Sequence, residues 1–354
     1  MMPVTITPES AAQELLQFNQ MLADGLRTLS SIKTVEAGVS AKEAVYREDK
    51  MVLYRFTPRV EKVHPVPVLV VYALVNRPYM ADLQEDRSTI RGLLDAGMDV
   101  YLIDWGYPDA ADRFLGLDDY INGYIKNAVD EICRRHKLSS INILGICQGG
   151  TFSLCFSALH PEKVRALVPM VTPIDFQTEG NLLSHWAQKL DVDLLVDTVG
   201  NVPGDLLNIT FVSMKPFQLT SQKYVDMVGL MCDKQKLENF LRMEKWINDS
   251  PDQAGEAFRE FISLFYQRNA LVRDELEIGG RPVRLRNLSM PVLNVYATED
   301  HLVPPAASKV LEKFVPKEAY TEFAFKGGHI GIYVSGRAQK EIPSSIAKWL
   351  KEHN

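Results

Sequence analysis

Three residues in one chain order could carry covalent acyl chemistry: Cys147, then Asp300, then His329. Cys147 lies in Gly145-Ile146-Cys147-Gln148-Gly149-Gly150, directly after the apolar run Ile141-Asn142-Ile143-Leu144. Glycines two residues before and after a nucleophile let a strand turn sharply into a helix, because a side chain at either place would block their approach. A helix starting near Gly149 would aim its first N–H groups and the positive end of its dipole at a thiolate or an oxyanion. A free thiol titrates at about 8.5, so attack at neutral pH needs a nearby base. Residues 291–297 form an apolar run that ends in Thr298-Glu299-Asp300-His301, and Tyr320–Phe325 ends in Lys326-Gly327-Gly328-His329. Asp300 and His329 thus each follow the carboxyl end of a predicted strand, where open parallel sheets gather their chemistry.

Neighbouring residues offer competitors. His301 adjoins Asp300 and is poorly placed to donate to that carboxylate while also serving the nucleophile, so His329 is preferred as the base. Cys133, Cys155 and Cys232 each fall in a helical pattern and read as packing residues. Cys133-x-x-His136 has half of a zinc-site spacing with no second pair to answer it, so no metal is expected. Asp104 and Asp175 also follow strands and read as loop braces. His64, His136, His160, His185 and His353 read as surface or packing residues, and Trp186 and Trp246 as core.

Holding three such groups together requires alternating strands and helices, and the chain supplies them. Thr7-Pro8-Glu9 starts a first helix whose Leu15, Phe18, Leu22, Leu26 and Leu29 share one face, expected to pack on the core. The same stripe would also suit docking of a second protein. Residues 45–57 alternate like an antiparallel strand pair, while 66–72 and 98–104 are buried-type strands. An amphipathic helix over about 117–137 leads into the elbow strand. Residues 166–171 form the next strand, with Pro169 pointing to an edge or a bulge, and a helix over 305–314 fits between the last two strands. This rhythm predicts a mostly parallel, doubly wound sheet of the α/β-hydrolase kind, in which nucleophile, acid and histidine follow in that order. From Gln177 to Ile278 the pattern turns helical, broken by Pro203, Pro216 and Pro251. The expected organisation is therefore a core of residues 1–176 including the first helix, a mainly helical cap insertion over 177–278, and the rest of the core over 279–354. A cap inserted between nucleophile and acid would exclude water and shape an acyl pocket.

Composition narrows the classes of function. The 354 residues carry 39 basic and 45 acidic side chains, a net charge of −6, with no dense basic cluster, which argues against nucleic acid as a partner. No apolar run reaches membrane-spanning length and no signal-peptide pattern is visible. Four cysteines make no secreted disulfide framework, so a cytoplasmic location is expected.

The box at residues 145–150 is similar to that of the polyhydroxyalkanoate synthases, and other segments carry the same resemblance. These are Asn76-Arg77-Pro78-Tyr79 with Asp82-Leu83-Gln84, residues 104–109, Thr172-Pro173-Ile174-Asp175-Phe176, residues 300–304 and residues 327–331. Together they span about residues 70–335. The stretch before the core is short beside the long single-subunit synthases. The chain resembles instead the class III catalytic subunit, which works with a separate non-catalytic subunit, although the class IV subunit is also short.

The resemblance implies an acyltransferase acting on (R)-3-hydroxyacyl coenzyme A, 3-hydroxybutyryl coenzyme A above all. It needs no cofactor beyond the thioester substrate. Cys147 would attack the thioester and release coenzyme A, with His329 as base. Asp300 would either orient His329 or activate the incoming 3-hydroxyl. By the same analogy the oxyanion would be held by the backbone N–H groups of Val75 and Gln148. The resemblance further implies a homodimer, a second synthase subunit and association with the polyester granule surface. Two other classes compete on the residues alone: a cysteine-dependent hydrolase of the dienelactone type or a thioesterase, which would pass the acyl group to water, and a non-catalytic granule or scaffold protein. The large helical insertion and the signatures outside the three catalytic positions favour the synthase.

Overall fold

Central parallel strands are covered on both faces and so read as unbroken apolar runs. The computed structural model, which describes residues 7–217 and 221–353, follows this rule. Strands β1 (Lys42–Glu48) and β2 (Met51–Phe56) form an antiparallel hairpin at one edge. β3 (Val68–Val71), β4 (Val100–Asp104), β5 (Ile141–Ile146), β6 (Val164–Met170), β7 (Val292–Ala297) and β8 (Tyr320–Phe325) complete an eight-stranded sheet. Its order is β1-β2-β4-β3-β5-β6-β7-β8, parallel throughout from β4 onward. Every residue of β3, β5 and β7 is buried, whereas the two edge strands β1 and β8 expose part of their length.

Helices cross between these strands. α2 (Thr89–Asp95) is capped by the Ser88 hydroxyl, which accepts from the Arg91 N–H. α3 (Lys126–His136) is entered through a π-helical turn at Asp119–Ile125 that the amphipathic pattern over 117–137 did not distinguish. α4 (Gln148–Leu159) is buried along its whole length, and Phe152 and Phe156 join Leu69, Tyr101 and Ile143 in the core. The predicted helix between β7 and β8 is shorter than its pattern: five α-helical residues, Pro305–Lys309, tighten into a 3₁₀ turn at Val310–Lys313.

Pro169 behaves otherwise than its sequence context suggested. β6 is an interior strand, paired with β5 on one side and β7 on the other, and its register with β7 is the same before and after the proline. Leu167 and Val171 donate to Pro291 and Val295 of the β7 side, so the ladder there simply skips the missing proline N–H. The irregularity in β6 lies at its start instead, where the pairing with β5 shifts between Ile141 and Asn142.

The chain divides into two compact units, one of Gly38–Leu206 with Ser250–Asn354 and one of Met1–Ala37 with Leu207–Asp249. The first holds the sheet together with α5 (Leu182–Ala187), α6 (Val192–Val199) and α10 (Gly255–Glu260), and the chain leaves it within α7 (Gly204–Ser213). The second is helical. In it α1 (Pro8–Ser31), capped by a Thr7–Ser10 box, packs with α8 (Lys223–Leu230) and α9 (Lys234–Ile247). The turn after α1 is fastened to α9, since Arg242 donates to the Glu36 carbonyl at 2.8 Å and Lys245 to that of Val35 at 3.1 Å. The first helix therefore finds partners within this helical unit. Its buried residue is Gly25, set against Met231, while Leu15, Phe18 and Leu26 of the apolar stripe are exposed. A small residue here admits the neighbouring helix closely, and Leu22 and Leu29 of the stripe are half-buried beside it in sequence.

Candidate active site

β5 must end beside α4 for the nucleophile to stand at their junction, and the glycines make that approach possible. A Cβ on Gly145 would lie 2.6 Å from the Gly150 Cα, and one on Gly149 would lie 2.3 Å from the Val71 carbonyl oxygen. Cys147 sits between them at φ 55°, ψ −124°, a conformation that costs an ordinary residue about 1–3 kcal/mol. Its N–H donates to the Met170 carbonyl at 2.9 Å, which fixes the turn against β6. The thiol is partly exposed, and α4 begins at the next residue. The first N–H groups of a helix have no intrahelical acceptor and are open to an anion.

The loops after β7 and β8 bring the other two residues together. His329 Nδ1 donates to Asp300 Oδ2 at 2.7 Å, and both side chains are almost wholly buried. The other carboxylate oxygen, Oδ1, accepts from the N–H groups of Leu302 and Val303, each at 2.9 Å. Asp300 is thus held in place by its own loop before it acts on the imidazole. Burial opposes the imidazolium form of His329, but the charges of Cys147 and Asp300 and hydrogen bonds to both outweigh it, raising His329 to about 10. Asp300 is partnered by His329, and its chain neighbour His301 is half-buried.

Three tyrosines that the sequence reading passed over surround this group. Tyr72, at the end of β3, and Tyr333, whose ring stands edge-on to His329 at 6.1 Å, are buried. Burial and the charge of Cys147 push both hydroxyls well above the usual tyrosine range, and act in the same direction on Tyr266. A single tyrosine in a strand or a helix leaves no periodic signal, so nothing in the sequence singled them out. Val171, directly after β6, adopts φ 44°, an unusual value for a β-branched residue.

The loop following β3 carries the second expected oxyanion donor, Val75. Tyr72 accepts from Trp105 Nε1 at 2.9 Å, and the Leu74 N–H donates to Oε1 of Gln148 at 3.0 Å. The remaining candidates take bracing roles. Asp104 binds the Arg77 guanidinium at 2.8 Å, and Asp175 accepts from Asn269 at 2.9 Å. His136 meets the Tyr101 hydroxyl at 2.9 Å, His160 meets Asn122 at 2.8 Å, and His353 stacks on Trp349. Burial pushes the thiols of Cys133 and Cys155 up. Cys232 differs from its helical reading, because it is exposed in the turn between α8 and α9. Trp246 is buried, but Trp186 is 37% exposed and is not a core residue. Among the described residues no His, Cys, Asp and Glu cluster could hold a metal ion, and no helix is long and apolar enough to cross a membrane.

Known proteins share both the fold and the sequence. The family model for the α/β-hydrolase fold matches residues 66–335. Solved structures agree on the fold alone. A monoacylglycerol lipase from Paleococcus ferrophilus superposes with a TM-score of 0.51 at 16% identity, covering 85% of this chain and 99% of its own. A thermophilic esterase from Thermogutta terrifontis gives 0.50 at 12% identity, covering 89% and 99%. A second family model, for the poly-beta-hydroxybutyrate polymerase N-terminus, matches residues 30–93. The poly(3-hydroxyalkanoate) polymerase subunit of Thiocystis violacea is 59% identical over 100% of both chains. The chain belongs to the poly(3-hydroxyalkanoate) polymerase family. The subunit of the same name from Allochromatium vinosum is also 59% identical, over 99% of this chain and 100% of its own. That from Synechocystis is 53% identical over 97% and 93%. Membership of this polymerase family makes the chain an acyltransferase on an α/β-hydrolase fold.

Proposed function

We propose that the chain polymerises (R)-3-hydroxyacyl coenzyme A, 3-hydroxybutyryl coenzyme A in particular, through an acyl-Cys147 intermediate. The observation that carries this reading is the geometry: Cys147 stands on a glycine-flanked turn between β5 and α4, and His329 is bonded to Asp300 at 2.7 Å. His329 takes the Cys147 proton, which gives a thiolate beside an imidazolium. The thiolate attacks the thioester carbonyl, the bond from carbonyl carbon to coenzyme A sulfur breaks, and the leaving thiolate takes the proton from His329. Acylation removes the sulfur charge, so His329 loses part of what raised it and stands as a neutral base. It accepts the proton of an incoming 3-hydroxyl. That oxygen attacks the acyl-cysteine carbonyl, an oxoester forms, and the Cys147 thiolate departs to restore the pair. Transfer between two thioesters is nearly balanced, which keeps the acyl group activated for the second step.

Asp300 has both carboxylate oxygens committed, one to His329 and one to two backbone N–H groups. That supports an orienting role and leaves the hydroxyl proton to His329. The oxyanion of each tetrahedral intermediate would be held by the N–H groups of Gln148 and Val75, each worth about 2.7–4 kcal/mol in such sites. The reading needs no cofactor. It includes residues 177–278 as a cap that shields the acyl-cysteine from water, a non-catalytic second subunit of the class III type, a homodimer of this chain, and a cytoplasmic location at the polyester granule surface.

The test is coenzyme A release from (R)-3-hydroxybutyryl coenzyme A by the purified chain, with the acyl product sized. High-molecular-weight polyester that disappears in Cys147→Ala is expected. Release of free 3-hydroxybutyrate alone would make the enzyme a cysteine-dependent hydrolase instead.

A further inference from the structure

Resting on the reading of Val75 N–H as an oxyanion donor, we propose that Gln253 is a positioning residue that aims this N–H at the reaction centre. The Leu74–Val75 peptide is trans and planar. The carbonyl of Leu74 and the N–H of Val75 belong to one rigid unit and point in opposite directions. Whatever holds the carbonyl therefore sets where the N–H points. Gln253 Nε2 donates to that carbonyl at 2.9 Å, and Gln253 is 3% exposed. The peptide on the other side of Leu74 is fixed as well, because its N–H donates to Oε1 of Gln148 at 3.0 Å. Leu74 is thus clamped by two buried glutamine side chains, one donating and one accepting. A rotation of the Leu74–Val75 peptide would break the Gln253 bond and leave a buried amide and a buried carbonyl unpaired, at about 1–3 kcal/mol each. A donor to the carbonyl also polarises the whole amide, which strengthens the N–H as a donor in turn.

Gln253 is itself presented from a fixed backbone. Its N–H and carbonyl pair with Val202 in a two-bond antiparallel bridge, at 2.8 Å and 2.9 Å. Three residues before it, Ser250 accepts from Asn76 Nδ2 at 2.7 Å and so ties the next residue of the same loop. Val202 precedes the point where the chain leaves the sheet-bearing unit after Leu206, and Ser250 is where it returns. The two crossing segments are therefore paired where one of them grips the oxyanion loop. No metal, charge or nucleophile marks Gln253, and its role follows only from what its amide touches.

The experiment compares two reactions of the thiol at Cys147 in a Cys232→Ser background. Acylation by p-nitrophenyl acetate passes through a tetrahedral oxyanion, whereas alkylation by iodoacetamide does not. Gln253→Leu is expected to slow acylation about 10- to 100-fold, the scale of a misaimed catalytic group, and to leave alkylation within about twofold. Gln148→Leu should act in the same direction. Because the two bonds hold one loop residue, the double variant should be about as slow as the slower single one. Unchanged acylation in Gln253→Leu would overturn the proposal, as would a parallel fall of acylation and alkylation, which marks a structural role. A wild-type thiol that alkylates readily but never acylates would remove the acyl-cysteine reading, and this proposal with it.

Discussion

Replacing Asp300 by asparagine should do more than delete a charge. The carboxylate accepts from Leu302 and Val303 through Oδ1 and from His329 Nδ1 through Oδ2. In Asp300→Asn the two backbone donors claim the amide oxygen, so the amide nitrogen is left facing the imidazole. An NH₂ group can only donate, which forces His329 to accept at Nδ1 and carry its proton at Nε2. In that tautomer the histidine cannot take a proton from Cys147 or from an attacking hydroxyl. The variant also loses one of the charges that raise His329 to about 10. An aspartate-to-asparagine exchange that forces the wrong tautomer costs about 10⁴ in a serine protease triad. A fall of 10³ to 10⁴ in the acylation rate is expected here, about 4–5.5 kcal/mol of barrier. The assay is rapid-quench measurement of coenzyme A release in the first turnover at pH 7, with melting temperature as the control for folding. A loss of less than about tenfold in a folded variant would refute the tautomer argument and with it the orienting role of Asp300.

Three further outcomes follow from the same geometry. Gly149→Ala would place a Cβ 2.3 Å from the Val71 carbonyl oxygen and 2.6 Å from that of Tyr72, so it should destabilise the chain by about 1–3 kcal/mol in chemical denaturation, although alanine ordinarily favours a helix. Equal or greater stability would show that β3 and α4 are not in close contact. His329 is raised from 6.5 to about 10 on folding, so the stability it contributes is complete below about pH 6.5 and is lost as pH rises towards 10. The melting temperature of the wild type relative to His329→Gln should therefore fall across that window; a constant difference would contradict the shift. Finally, a thiol reagent should modify Cys147 and Cys232 in the native chain and reach Cys133 and Cys155 only after denaturation, which peptide mapping would read directly.

What could be read in the sequence was what local chemistry dictates. The elbow was visible because only glycine tolerates the approach of β5, β3 and α4 around Cys147. The central strands were visible because burial on both faces leaves an unbroken apolar run, and Asp300 and His329 stood out because each follows such a run. What stayed hidden depends on partners distant in the chain. Pro169 lies in an interior strand because its neighbours on both sides pair around the missing N–H, which no window centred on the proline can show. The packing of α1 includes Gly25 meeting Met231, more than two hundred residues away, while Leu15, Phe18 and Leu26 of the stripe stay exposed. Tyr72, Tyr266, Tyr333 and Gln253 reach the site from four separate segments, and none has a spacing that announces it.

An acyl group carried on Cys147 can be weighed directly. The chain is mixed with (R)-3-hydroxybutyryl coenzyme A, quenched with acid within the first turnovers, digested, and its cysteine peptides are examined by mass spectrometry. A 3-hydroxybutyryl adduct, or a short oligomer of it, is expected on the peptide containing Cys147 and on no other cysteine peptide. Coenzyme A release with an unmodified Cys147 peptide at every quench time, or an adduct on another residue, would contradict it.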